Sequence, residues 1–383
     1  MKNLPIYLDY ASTTPIDALV LSAMQPYFSD EFYNPSAIYL SAKKVSQDIK
    51  LARSEIAKQL GARPSEIIFT AGATEANNLA ICGTMQLYPE ANMVVSSIEH
   101  ESVLSPASQF THIKAPVNKE GIIDLNKLSK LIDDKTVLVS VMYANNEFGS
   151  VQPLKEIASL INQQKLNRQN SGNKTPLYFH TDATQATNYL NLLVNKLGVD
   201  LLSLNSSKIY GPKQMGLLYI KTGVKLKPQI LGGGQERGLR SGTENVAGII
   251  GLSSALSLVN NRKKTEVKRL SQLQQYFINE LKNRIQGVQI NGSLKNRLPN
   301  IVHVTIDGIN NDRLVMELDE QGIMCATGSA CSASSKKPSH SLQAIGLSDE
   351  QARSSLRFSM GAYTTRQEID TTIKKLENLL LKN

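Results

Sequence analysis

Short apolar runs rich in β-branched residues recur along the first 220 positions, at 67–70, 93–98, 137–142, 177–181, 201–204 and 216–220. Their length and composition predict buried strands. Helical spacing fills most of the gaps. Val45, Ile49, Ala52, Ile56 and Leu60 share one face of a helix predicted over 41–60, and further helices are predicted over 75–85 and 153–165. Strand and helix in alternation mean an α/β fold around a mainly parallel sheet. Beyond about residue 252 the pattern changes. A long polar helix is predicted over 261–285, strands near 301–306 and 354–359, and helices over 312–321 and 367–381. This reads as a smaller α+β unit. The division falls at residues 15–255 and 256–383, with residues 1–14 joined to the second part.

Composition sets limits without naming an activity. At 383 residues the chain can bury a large core unaided by disulfides or metals. Lys and Arg number 42 against 33 Asp and Glu, so the net charge of +9 favours anionic partners or substrates. The basic run 261–269 reads first as a solvated helix face. The most apolar stretch, 246–259, is too short to cross a bilayer and is predicted to be a buried helix. No secretory leader is read at the N-terminus, and three cysteines are too few for a disulfide framework, so a cytoplasmic setting is expected. Neither membrane nor direct nucleic-acid binding is expected. No phosphate loop, dinucleotide fingerprint, nucleophile elbow or zinc spacing is present in the sequence.

In open α/β sheets ligands collect beyond the carboxyl ends of the strands, so the residues after each run carry the argument. After 67–70 stands Ala71-Gly-Ala-Thr-Glu75, small residues and a hydroxyl at a helix start, which suits an anion. A plain N-cap by Thr74 explains the same residues. After 93–98 come Glu99 and His100, and after 137–142 come Asn145, Asn146 and Glu147. After 177–181 comes Asp182, which must be paired, capped or functional if buried. After 201–204 come Asn205-Ser-Ser-Lys208 and Ile-Tyr-Gly-Pro212. A lysine held among apolar strands loses part of its preference for the charged form and becomes an imine-forming amine. Together these tips supply a phosphate cup, an aromatic stacker, a carboxylate and a lysine. They are the parts of a pyridoxal 5′-phosphate site, in which the carboxylate keeps the pyridine nitrogen protonated.

With these residues in view the chain resembles the cysteine desulfurases of the iron–sulfur-cluster-assembly and nitrogen-fixation type, within the class V aminotransferase group of fold type I pyridoxal phosphate enzymes. The resemblance runs from Tyr7-Leu-Asp-Tyr-Ala-Ser-Thr-Thr-Pro15 to about Leu379. Its marks are Gly72-Ala-Thr-Glu75, Glu99-His100, Asn145-Asn-Glu147, Asp182-Ala-Thr-Gln185, Lys208-Ile-Tyr-Gly-Pro212, Arg240-Ser-Gly-Thr243, Gly328-Ser-Ala-Cys331 and Arg357-Phe-Ser359. It implies that Lys208 forms the Schiff base, Ala73 and Thr74 hold the phosphate, and Asp182 pairs with the ring nitrogen. Gln185 would bond the ring oxygen, His100 would stack on the ring and help move protons, and Asn146 would lie near cofactor and substrate. Asn34 and Arg357 would grip the carboxylate of L-cysteine. Thr243 would reach the phosphate of a neighbouring subunit, which implies a homodimer. Cys331, in a tract of small residues read as a mobile loop, would take sulfur as a persulfide, leaving L-alanine, and pass it to an iron–sulfur scaffold or a tRNA-thiolation protein.

The chain also departs from that family. Where the family usually has Ser-Gly-His-Lys, this sequence has Asn205-Ser-Ser-Lys208, and the histidine that helps bind phosphate is missing. Asn205 and Ser207 are expected to donate hydrogen bonds in its place without a charge, at some cost in affinity. Tyr39 stands where the family often has His, and the sequence stops soon after its last helix. A selenocysteine lyase-like enzyme and a non-catalytic sulfur-transfer paralogue are the competing readings.

Overall fold

The computed structural model describes residues 5–328 and 338–381. Its strands are β1 (Ile6–Tyr7), β2 (Ile67–Thr70), β3 (Asn92–Ser96), β4 (His112–Ala115), β5 (Thr136–Ser140), β6 (Tyr178–Asp182), β7 (Leu201–Asn205), β8 (Gly216–Ile220), β9 (Gln289–Ile290), β10 (Ile301–Thr305), β11 (Ile323–Met324) and β12 (Ser355–Ser359). Seven form one sheet in the order β2-β8-β7-β6-β5-β3-β4. All its neighbours pair in parallel except β8, which runs antiparallel to both β2 and β7. The six apolar runs are strands here, and their side chains are buried on both faces, as a sheet covered by helices on each side requires. The helices Leu40–Leu60, Ala73–Met85 and Leu154–Asn170 cover it. The unforeseen member is β4, a half-exposed edge strand whose sequence His-Ile-Lys-Ala lacks an apolar run.

The apolar stretch at 246–259 and the polar helix predicted over 261–285 are one helix, Val246–Arg284. Nothing at 259–262 can stop it: Val-Asn-Asn-Arg contains neither Gly nor Pro. Its first half packs on Leu40–Leu60 and Ala18–Met24. Its second half buries Leu270, Phe277, Ile278 and Leu281 beside β10 and the helix Arg366–Leu380. The second sheet is antiparallel, in the order β12-β10-β9. The N-terminal segment joins it: β1 pairs in parallel with β11, and Asp9 bridges to Ser359.

At the outer edge of the large sheet, side chains occupy the hydrogen-bonding groups of β2. Phe69 donates its N–H to Glu236 Oε2 at 2.9 Å, and Arg53 and Arg237 donate to the Ile67 carbonyl at 2.8 and 3.1 Å. Arg53 also grips Glu236 in a two-bond ion pair and lies over the Phe69 ring, 4.4 Å from its centroid. Glu236 and Arg237 accept left-handed backbone conformations, φ 45° and 60°, to make this clasp.

The start of β8 must pass very close to the turn after β2. A Cβ on Gly216 would lie 2.5 Å from the Leu204 carbonyl oxygen and 2.7 Å from Gly72 Cα. Both are backbone atoms and cannot swing away. Gly216→Ala is expected to lower stability by about 1–3 kcal/mol, read as a lower urea midpoint with an unchanged denaturant slope.

Candidate active site

β2, β3, β5, β6 and β7 point the same way, so their carboxyl ends open onto one side of the sheet. Their tips surround a cavity of about 210 Å³, whose walls include Ala73, Thr74, His100, Asn146, Asp182, Gln185, Asn205, Lys208 and Arg357. Nine residues predicted for the site are therefore together.

Each is held by its local structure. Gly72 caps the helix Ala73–Met85 with φ 121°, a conformation only glycine adopts readily, and no side chain caps that end. Thr74 is exposed and does not serve as the N-cap; its carbonyl instead accepts from Asn78 at 2.8 Å. Ala73 and Thr74, the first two residues of that helix, line the cavity, where free helix amides suit an anion. Asp182 is 6% exposed at the end of β6. Its Oδ2 accepts from Asn77 Nδ2 at 2.8 Å and its Oδ1 from the Thr184 N–H at 2.9 Å. Asn77 also donates to Ser102 Oγ at 2.8 Å, and Ser102 Oγ sits 2.8 Å from His100 Nδ1, which accepts the Ser102 N–H at 3.1 Å. With Nδ1 accepting, the ring proton of a neutral His100 sits on Nε2. One asparagine thus links the carboxylate to the histidine.

Lys208 ends a single 3₁₀ turn, Ser206–Lys208, between β7 and β8. Its ammonium donates to the Ser12 carbonyl, and Gln185 Nε2 donates to the Ala11 carbonyl at 2.9 Å. Arg357, on β12, is 1% exposed. Nη2 pairs with Asp9 at 2.7 Å and Ser12 Oγ at 2.7 Å, and Nη1 donates to the Asn146 carbonyl at 2.9 Å. Arg357 Nε and Thr184 Oγ1 are buried without a partner among the described residues. Both belong to cavity-lining residues. A buried carboxylate, an uncapped helix start, a histidine, a lysine and two unpaired polar atoms around one cavity fit pyridoxal phosphate and an amino acid carboxylate.

Three predicted residues lie elsewhere. Asn34 is exposed, its Oδ1 turned back onto the Ser36 N–H at 2.9 Å. Thr243 is exposed beside a separate cavity of about 180 Å³ with Arg240 and Glu236. Ser207 does not line the cavity, because its N–H and hydroxyl both bond Asn205 Oδ1, at 3.2 and 3.1 Å. Cys331 lies outside the described residues. Its neighbour Gly328 lies against Glu147: a Cβ there would be 3.5 Å from Glu147 Oε2, the atom that accepts from Ser339 Oγ at 2.6 Å. Sequence reasoning missed Asn77, Ser102, Asp9 and Ser12. Asn77 had a signal, a polar residue on the buried face of its helix; Asp9 and Ser12 stood in a quoted motif without roles.

Beneath the cavity floor His180 spans β5, β6 and β7, its nitrogens 2.8 Å from Ser140 Oγ and 3.1 Å from Ser203 Oγ. Burial pushes it down to about 4, although Asp182 pulls the other way. His303, on β10, is pushed down to about 3 by burial and by the charges of Arg357 and Arg297. In the unfolded chain both titrate near about 6.5. Unfolding therefore takes up roughly two protons between about pH 6.5 and pH 4. Stability is full above that window and falls as acid is added through it. Urea midpoints between pH 7 and pH 4.5 should show this slope, and His180→Asn should remove about half of it.

The chain matches the class-V aminotransferase family over residues 6–372. It is 40% identical to a cysteine desulfurase IscS of Dictyoglomus turgidum, over 98% of this chain and 95% of the relative. It is 39% identical to a cysteine desulfurase IscS 1 of Archaeoglobus fulgidus, over 98% and 96%. A solved NifS-like protein superimposes with a TM-score of 0.91 at 31% identity, covering 99% of this chain and all of the other. SspA in complex with cysteine superimposes with a TM-score of 0.81 at 36% identity, over 94% and 100%. With the strand tips, the cavity and these likenesses in agreement, the chain belongs to the class-V aminotransferase family, among its cysteine desulfurases.

Proposed function

We infer that the protein removes sulfur from L-cysteine, releases L-alanine and leaves a persulfide on Cys331 for transfer to an acceptor. The observation that carries this reading is the meeting of Lys208, Asp182, the helix start at Ala73 and Arg357 in one cavity. Cys331 is three residues beyond Gly328.

Pyridoxal phosphate, when bound, supplies an electron sink for the substrate Cα–H bond. The chain's own groups do the rest. The Ala73 and Thr74 amides would hold its phosphate, and the Asp182 carboxylate, fixed by Asn77 and Thr184, would hold its ring N–H. Arg357 Nε, without a partner among the described residues, leaves a charged donor for a substrate carboxylate. The Lys208 amine takes the Cα proton and His100 Nε2–H lies on the cavity wall to return one. The Cys331 thiolate attacks the substrate sulfur. The S–Cβ bond breaks, its electron pair stays with carbon, and protonation there gives alanine while Cys331 keeps the sulfur. Cysteine in the SspA structure supports the substrate class.

A homodimer is supported by exposed apolar side chains at Phe28, Phe32, Ile38 and Leu40, close in sequence to Asn34. Such a partner would also give the exposed Thr243 a phosphate to reach. Among the described residues Cys82 and Cys325 are unpaired thiols, in keeping with a cytoplasmic setting. An iron–sulfur scaffold or a tRNA-thiolation protein is the proposed acceptor.

Cys331→Ala is expected to keep the visible absorbance of the lysine-bound cofactor and its change on adding cysteine, yet produce neither sulfide nor alanine. Sulfide at the wild-type rate would refute the assignment. Lys208→Ala should lose that absorbance and at least about 100-fold in turnover. Arg357→Lys should raise KM for cysteine about tenfold with the cofactor still bound.

A further inference from the structure

Among the described residues, the cations near the phosphate cup are already engaged. Arg240 approaches it through Glu75, whose Oε1 accepts from Arg240 Nε at 2.9 Å while Oε2 accepts from the Ala71 N–H at 2.9 Å. The two charges cancel. Arg357 is paired with Asp9, and the Lys208 ammonium is turned to the Ser12 carbonyl on the N-terminal segment. A neutral side chain also stands at the cup. The Asn205 amide lies 3.9 and 4.0 Å, by its oxygen and nitrogen, from a Cβ built on Gly72, the cap of the phosphate helix. Asn205 also lines the cavity.

The orientation of that amide is set by its neighbour. Oδ1 accepts both the N–H and the hydroxyl of Ser207, which satisfies its two lone pairs. The amide then has only its Nδ2 hydrogens to offer an anion. We propose that this chain holds the cofactor phosphate with a neutral donor, Asn205 Nδ2, beside the helix start, and that Ser207 is a positioning residue that orients the amide rather than a phosphate ligand. The proposal rests on the cofactor reading above. Neutral donors attract a phosphate less than a cation does, and their contribution is screened little by salt.

The test is a titration of the cofactor-free full-length chain with pyridoxal phosphate and, separately, with pyridoxal, which lacks the phosphate. Visible absorbance and tyrosine fluorescence report binding without any turnover. Asn205→Ala should weaken pyridoxal phosphate about tenfold and leave pyridoxal within about twofold. Asn205→Asp, which sets a carboxylate against the phosphate, should weaken it about 100-fold. Ser207→Ala should cost roughly three- to tenfold for the phosphate form only, because the amide is then free to turn. Ser207→His should tighten pyridoxal phosphate at low salt and make its affinity fall as salt is added, a dependence weak in the wild type.

Equal losses for both ligands on Asn205→Ala, or no loss for either, would overturn the proposal while leaving the cofactor reading intact. A wild-type chain that binds no pyridoxal phosphate would overturn both. If Asn205→Ala does not fold, Asn205→Leu, of similar shape and without a donor, carries the same comparison of the two ligands.

Discussion

A guanidinium buried to 1% exposure needs a carboxylate beside it, and this fold supplies one from the far end of the chain. Arg357 and Asp9 are 348 positions apart in sequence and 2.7 Å apart in space. Breaking such a pair leaves an uncompensated charge, a loss of about 3–5 kcal/mol. The consequence reaches past stability. Asp9 and Ser12 are fixed to Arg357, so the carbonyls at 11 and 12 are fixed as well. Those carbonyls receive Gln185 and Lys208. Through Nη1 the same guanidinium fixes the turn at Asn146. A lysine, a glutamine and an asparagine from three different strand tips thus take their bearings from one ion pair.

The other half of the site is organised from below the ring position. Asn77 reaches both Asp182 and Ser102, and Ser102 steadies His100. The two Asn77 bonds cross between elements, joining a helix to a strand end and to the start of a second helix, which His100 caps. His180, one strand pleat below Asp182, stays neutral between two serines and adds no competing charge beneath the carboxylate. The site is built by cross-links between elements whose own positions are set by sheet packing.

Much of this was legible in the chain. The large sheet announced itself because its strands are buried on both faces, which forces unbroken apolar runs such as Ile67–Thr70 and Leu201–Asn205. Where one face is wet the signal fades, and β4 went unseen. The strand-tip residues were readable because chemistry-bearing types stood where a run ended. The partners that orient them were not, since Asn77, Ser12 and Asp9 gain their roles only from long-range proximity. Ser207 shows the same limit. Its hydroxyl made it a phosphate donor on paper, and in the fold that hydroxyl donates to Asn205 Oδ1. Asn34 and Thr243 lie at the surface, where a single chain offers them neither cofactor nor substrate.

The clasp over β2 has an outcome of its own. An outermost strand normally presents a ladder of unmet backbone groups to which any extended polypeptide can add itself. Here the Phe69 amide and the Ile67 carbonyl are already spoken for by Glu236, Arg53 and Arg237. On that flank two rungs are already filled, so a segment strained at two residues leaves an added strand fewer bonds to make.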